Sequence, residues 1–266
     1  MRLSISRIKL FKACRRAYYL RYIEGLVPVR KPEALETGSN YHARLEAMYN
    51  GDESEIAQDF SKEQAMAEAY RKYIFPRFHV KHAEKWMERP IKNGDLFCGI
   101  ADGIADGGYL VEHKTAAGPT NLDEYEYDLQ WDEQILAYMS LSGLRKVWYT
   151  VIKKPTIRQR KDESDEEFYN RMLAWYDEDT DSKIRLMEIT RTDDEVAEWN
   201  AQLNVIHEEI SRAERICREL HNAPRIMYRN QGWCSRWGRR CEYASVCLDY
   251  NPDEEHVEFF KEERVD

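Results

Sequence analysis

Two hydrophobic periods divide this 266-residue chain. Apolar positions recur at helical spacing through the first third, where Ile8, Phe11, Tyr18, Leu20 and Tyr22 form an unusually aromatic run that Ser4 or Ser6 can cap. Further helices are expected from Ser39 to Tyr49, from Glu63 to Phe75 and, shorter, from Val80 to Glu88. Alternation then takes over. Phe97 to Val111 reads as a strand, a glycine turn and a second strand, closed by Glu112-His113-Lys114. A loop at Gly118-Pro119 precedes a helix from Leu122 to Ser142, and Lys146 to Ile152 is β-branched and aromatic enough for a buried strand. Beyond it the pattern predicts a charged helical insertion from Asp162 to Trp175, a strand from Ile184 to Thr190 and a long helix from Asp193 to His221.

The order hairpin, helix, strand predicts an α/β core with a mixed central sheet flanked by helices. No internal repeat or low-complexity linker interrupts the chain, so one domain over 1–266 is expected. Within it, 1–95 is a helical amino-terminal part, 96–160 the core, 161–222 the insertion and long helix, 223–250 a cysteine-rich segment and 251–266 an acidic tail.

Composition narrows the class. Hydrophobic residues make up 42% of the chain, enough for a sizeable core. No run of about 18 apolar residues occurs, and Arg2, Arg7, Lys9 and Lys12 interrupt what a signal peptide would need. A soluble, cytoplasmic protein with no membrane partner is expected; a viral protein in a prokaryotic host fits the same description. The formal net charge of −9 argues against a surface that attracts nucleic acid everywhere, but local basic stretches remain between Arg225 and Arg240 and between Lys153 and Lys161.

The hairpin carries the candidate chemistry. On a strand Glu112 and Lys114 project to one face and His113 to the other, and folding the hairpin sets Asp102 within about a residue of the position opposite Glu112. Two carboxylates and an ammonium then converge, a donor set suited to Mg²⁺ or Mn²⁺ and to phosphoryl chemistry. A surface hairpin with solvated ion pairs is the plainer alternative. Asp106 lies at the turn, roughly 10 Å along the ribbon at about 3.3 Å per residue, where it serves turn geometry.

Six cysteines are present, and without a secretion signal thiol chemistry is favoured over disulfides. Cys234, Cys241 and Cys247 cluster in a polar segment with little apolar material of its own. Cys14, in a basic aromatic helix beside Arg15 and Arg16, is the fourth candidate, whereas Cys98 and Cys217 fall in core elements. An iron–sulfur cluster, zinc and no metal all remain open on the residues alone.

Gly38-Ser39-Asn40-Tyr41-His42, Asp102, Glu112-His113-Lys114 and Gln134-Ile135-Leu136-Ala137-Tyr138, bracketed by one early and three late cysteines, together resemble the RecB-like nucleases of the PD-(D/E)xK superfamily. The resemblance runs from Leu3 to about Tyr250 and is strongest to the iron–sulfur branch, which includes the AddB nuclease domain and the CRISPR-adaptation exonucleases. It implies a restriction-endonuclease-like core. It implies metal ligands at His42, Asp102, Glu112 and the His113 backbone carbonyl, with Lys114, Gln134 and Tyr138 completing the catalytic set. It also implies a 4Fe-4S cluster on Cys14, Cys234, Cys241 and Cys247, clasping the two ends of the chain; zinc is the alternative. The first two late cysteines stand further apart here than in the commonest family pattern. Glu46, one turn after His42, is a candidate support for that imidazole.

The activity this implies is a metal-dependent deoxyribonuclease leaving 5′-phosphates, with an exonuclease on single-stranded or frayed ends the best fit. Trp233, Trp237 and Tyr228 could stack unpaired bases. A helicase or recombinase is a conceivable partner in recombination or repair. A non-catalytic DNA-binding module on the same fold, and a structure-selective endonuclease, are the competing readings.

Overall fold

A computed structural model of the chain describes residues 1–29, 32–52, 59–220, 226–236, 239–248 and 258–262, with Leu220, Arg236 and Arg239 described in backbone only. Strand β1 (Arg2–Ser4) leads into helix α1 (Ile5–Ala13), which Ser4 caps by accepting the Arg7 amide at 3.3 Å. Cys14 is extended; it ends α1 and opens α2 (Arg15–Tyr18), which widens into a π turn over Tyr19–Ile23. The single aromatic helix expected here is thus broken at Cys14.

Strand β2 (Leu26–Pro28), helix α3 (Glu33–Asn50) and helix α4 (Lys62–Tyr73) follow. Next comes strand β3 (Val80–Pro90), where a short helix was expected. Val80 and Met87, buried and seven residues apart, imitate a helical repeat, but the β3 backbone pairs with β4 (Leu96–Ala105). Strand β5 (Tyr109–Ala116) leads to helices α5 (Leu122–Asp128) and α6 (Glu133–Ser142) and strand β6 (Lys146–Lys153). The one helix expected from Leu122 to Ser142 is therefore two. Asp132 leaves the helical path and caps α6, accepting the Gln134 amide at 2.8 Å. Helices α7 (Asp165–Glu178) and α8 (Thr180–Lys183), strand β7 (Ile184–Thr190) and the long helix α9 (Asp193–Leu220) complete the main elements.

The chain groups into two compact units: residues 32–87 with 99–197, and residues 1–31 with 88–98 and 198–266. In the first, β4 and β5 form an antiparallel hairpin with Gly103 opposite Val111, joined through Gly107 and Gly108. Both glycines stand at φ near +70° (72° and 75°), which side chains resist. Strand β6 runs parallel to β5, from Tyr109 opposite Lys146 to Ala116 opposite Lys153, and β7 returns antiparallel to β6. One sheet face buries Leu110, Val147, Tyr149 and Val151 under Ile135 and Met139 of α6. Another core joins Tyr41 and Leu45 of α3, Met66 and Tyr70 of α4, and Ile152 of β6. The result is a mixed α/β fold.

In the second unit β1 runs parallel to the start of β4, Arg2 opposite Leu96, and Phe97 packs on Trp199. Strand β2 pairs antiparallel with Phe259–Lys261, so the beginning of the chain meets its end. Among the described residues no helix is long and apolar enough to cross a membrane.

Candidate active site

The β4–β5 ladder ends at Gly103 and Val111, and beyond it a side chain takes the place of backbone. Asp102 accepts the His113 amide on Oδ2 at 2.6 Å, while its Oδ1 lies 3.1 Å from Nδ1 of His42 on α3. Alternation along β5 sends Glu112 and Lys114 to the α6 face. There the Lys114 ammonium donates to Oε1 of Glu112. Gln134, set in the first turn of α6 by the Asp132 cap, donates to the same Glu112 oxygen at 2.9 Å and to the Tyr138 hydroxyl at 3.0 Å. Its own carbonyl lies 3.4 Å from Lys114 Nζ. Gly99 on β4 makes room for this helix: a Cβ there would stand 2.9 Å from the Tyr138 ring.

Glu112 is only 4% exposed, and its second oxygen, Oε2, has no hydrogen-bond partner among the described residues. Burial and the Asp102 charge push its carboxyl up to about 7, against the pull of Lys114. Asp102 goes the other way: burial works to raise it, but the His42 bond and charge outweigh that and hold it below the usual carboxylate range. Burial likewise opposes charge on Lys114, yet Glu112 wins and raises it, so the ammonium persists. His42 follows the same logic, raised by Asp102 in spite of burial.

His113 faces away, as alternation requires. Its ring lies 2.6 Å from the Thr150 hydroxyl and 2.9 Å from that of Tyr49, which in turn meets Tyr70. Burial lowers its pKa to about 3, so it is a neutral brace for the strand. Asp106 sits at the turn beside Lys81, 2.7 Å away, and takes no part in the cluster.

One residue escaped the sequence reading. Ligand atoms of His42, Glu84 and Asp102 all lie within 4.8 Å of one another. Glu84 interrupts β3 at φ 44°, a left-handed conformation costing a bulky residue about 1–2 kcal/mol. It makes no hydrogen bond or ion pair among the described residues. Burial, Asp102 and Glu46 raise its carboxyl. Glu46 therefore acts on Glu84, and among the described residues it makes no hydrogen bond to His42. Only that backbone outlier could have marked Glu84, and no sequence motif encodes it.

In the other unit, Cys14, Cys234, Cys241 and Cys247 line one cavity of about 350 Å³ with Arg16, Arg229 and Arg240. All are free thiols, whereas the buried Cys98 and Cys217 lie outside the cavity. The Asn230 amide donates to Cys14 Sγ at 3.4 Å, and the Cys241 amide to the Cys234 carbonyl at 2.9 Å. Burial pushes the Cys241 thiol up to about 11 and also raises that of Cys247. Trp233 lines this cavity, and Tyr228 lies under the Arg15 guanidinium at 5.1 Å; Trp237 is outside the described residues.

Among curated proteins none matches the sequence. A crystal structure of a presumed exonuclease from Eubacterium rectale superimposes with a TM-score of 0.50 at 14% identity, over 96% of this chain and 90% of that one. The alkaline exonuclease LHK-Exo from Laribacter hongkongensis gives 0.37 at 15% identity over 82% and 94%. A second structure of LHK-Exo, with dAMP, gives 0.37 at 16% over 69% and 85%. The sequence itself matches the profile of the PD-(D/E)XK nuclease superfamily over residues 2–248, and with Asp102, Glu112 and Lys114 gathered at the open end of the hairpin, the chain belongs to that superfamily.

Proposed function

We propose that this protein is a divalent-metal-dependent deoxyribonuclease that degrades single-stranded or frayed DNA from an end and leaves 5′-phosphates. The observation that carries the reading is Glu112: a buried carboxylate with one oxygen engaged by Lys114 and Gln134 and the other without a partner among the described residues. A buried acceptor left unsatisfied costs about 1–3 kcal/mol, and a cation is the partner such an oxygen lacks. His42, Asp102, Glu112 and the His113 carbonyl would hold Mg²⁺ or Mn²⁺, which would supply Lewis acidity at the scissile phosphate and a more acidic water.

The chain's own residues set up the rest. A water oxygen attacks phosphorus and gives up a proton to solvent, the bond to the 3′ oxygen breaks, and that oxygen leaves with the electron pair and takes up a proton from solvent. Lys114 stays protonated, so it acts as an electrostatic anchor for water and phosphate oxygen and not as a base. Gln134 holds the lysine and the carboxylate in register, and Tyr138 fixes Gln134. His113 and Asp102 hold the end of β5 where the carboxylates meet.

The cysteine cavity supports a second part of the proposal, a 4Fe-4S cluster on Cys14, Cys234, Cys241 and Cys247. Four thiolates suit either a cubane or a tetrahedral zinc, and the resemblance to the iron–sulfur branch is what favours the cubane. Its role would be structural, tying Cys14 to the carboxy-terminal cysteines. Arginines around the cavity would offset its negative charge.

Digestion of end-labelled linear and circular DNA with Mg²⁺ or Mn²⁺ tests the activity. Shortening of linear single strands with circles intact is expected, and analysis of the released products for 5′-phosphate checks the chemistry. Cut circles would mean an endonuclease. DNA binding without any cleavage would mean a non-catalytic module, and either result overturns the proposal as stated. A helicase or recombinase that opens ends is the partner class this activity would serve.

A further inference from the structure

We propose, resting on the nuclease reading above, that Trp86 and Ile100 form a stacking platform for an unpaired nucleobase beside the site, with Lys85 taking a flanking phosphate. Strand β3 has 11 residues where its partner β4 has 10. The Asp106 amide donates to the His79 carbonyl at 3.0 Å at one end of this pair and the Ile91 amide to the Asp95 carbonyl at 2.8 Å at the other, so the extra residue makes a bulge in β3. It falls at Glu84, which stands at φ 44°. Counting back from Ile91 and Asp95 then sets Trp86 opposite Ile100. Met87 and Ala101 are buried in the core under α6, so alternation turns Trp86, Ile100 and Asp102 to the other face, where Asp102 meets His42.

Both apolar side chains are open there, Trp86 48% and Ile100 43% exposed. Trp86 makes no hydrogen bond, ring or cation contact among the described residues, whereas Trp131, Trp148, Trp175 and Trp199 each pack on another ring. Its indole is free to take a ligand. Ile100 lies two residues from Asp102, about 7 Å along β4, so a nucleotide whose phosphate reaches Asp102 can lay its base on this platform. Lys85, exposed and without an ion pair among the described residues, offers the neighbouring phosphate a cation. One indole and one isoleucine match the face of a single base and fall far short of the roughly 800 Å² per partner that a stable protein interface buries. Bases inside a duplex have both faces covered, so the platform selects unpaired DNA.

Fluorescence anisotropy of the full chain in EDTA, with labelled oligothymidylate and with an oligomer of equal length whose nucleotides are all abasic, tests this. Trp86→Ala should weaken oligothymidylate binding by about tenfold and leave the abasic oligomer unchanged, while Trp86→Phe, which keeps a ring, should retain most of the affinity. Trp86→Leu, which keeps apolar bulk on the sheet, stands in should the alanine variant not fold, with the same result expected. A loss shared equally by both oligomers would mark a structural role, and no loss on either would leave the indole without a base; both overturn the platform. Self-association of the wild type that Trp86→Ala abolishes would give the patch to a second copy and overturn it too. If wild type hydrolyses no DNA yet keeps the expected binding pattern, the platform stands and the nuclease reading falls; cleavage without that pattern does the reverse.

Discussion

Glu112 and Lys114 carry the proposed chemistry, and their charges set a pH dependence. Glu112 is raised to about 7 from an ordinary 4.5, so the folded metal-free chain holds this proton more tightly than the unfolded one. Stability from this group is therefore greatest in acid and declines as pH climbs toward 7. His42 is also raised, and its contribution, complete below 6.5, fades as pH passes its folded value. Asp102, held below 3.8, contributes stability at every pH above that value and loses it only in stronger acid. In the proposed reading a divalent ion displaces the Glu112 proton, so the rise in melting temperature on adding Mg²⁺ should be larger at about pH 8 than at about pH 6. An equal rise at both would contradict the shifted carboxyl. Lys114→Ala should lower cleavage by about 10³-fold or more with the fold retained, because a preorganised positive charge at the reacting group is lost.

The triad Asp102, Glu112 and Lys114 was legible because strand alternation and a glycine turn dictate it. The bracing of His113 by Tyr49, Tyr70 and Thr150 was not, since those partners arrive from α3, α4 and β6 through tertiary packing.

At the level of elements, α6 is the part whose placement matters most. Its register follows from the Asp132 cap, and its closeness to the sheet from Gly99. Gly99→Val should force Tyr138 and Leu141 outward, destabilise the fold by about 2 kcal/mol and reduce activity through Gln134. A denaturant melt with unchanged midpoint would show that the helix does not need the glycine. The break before α6 was not legible because no Gly or Pro interrupts the chain between Leu122 and Ser142. Strand β3 was misread for a related reason: a wide spacing between two buried residues fits a helix, and its true pairing partner is β4. The strands β5, β6 and β7, with their dense β-branched and aromatic content, were read from sequence nearly to their ends.

Across the whole molecule, the unit built from both ends of the chain packs a small buried cluster of Ala17, Leu20 and Tyr243 around the cysteines. Cys14→Ser should therefore lower iron content, bleach absorption near about 400 nm in anaerobically purified protein and loosen that unit. Zinc in place of iron would refute the cluster while sparing the nuclease. Clustering singled out Cys234, Cys241 and Cys247, and basic aromatic surroundings Cys14, but neither could show that Cys14 breaks its helix and accepts the amide of the distant Asn230.

The central claim is metal-dependent hydrolysis at Glu112. Incubating wild type and Glu112→Gln side by side with end-labelled single-stranded DNA, with Mg²⁺ and with EDTA, measures it directly. Degradation by wild type in Mg²⁺ alone, and at least about 10³-fold less by the variant, is the predicted result; cleavage that survives EDTA, or a variant as active as wild type, would contradict it.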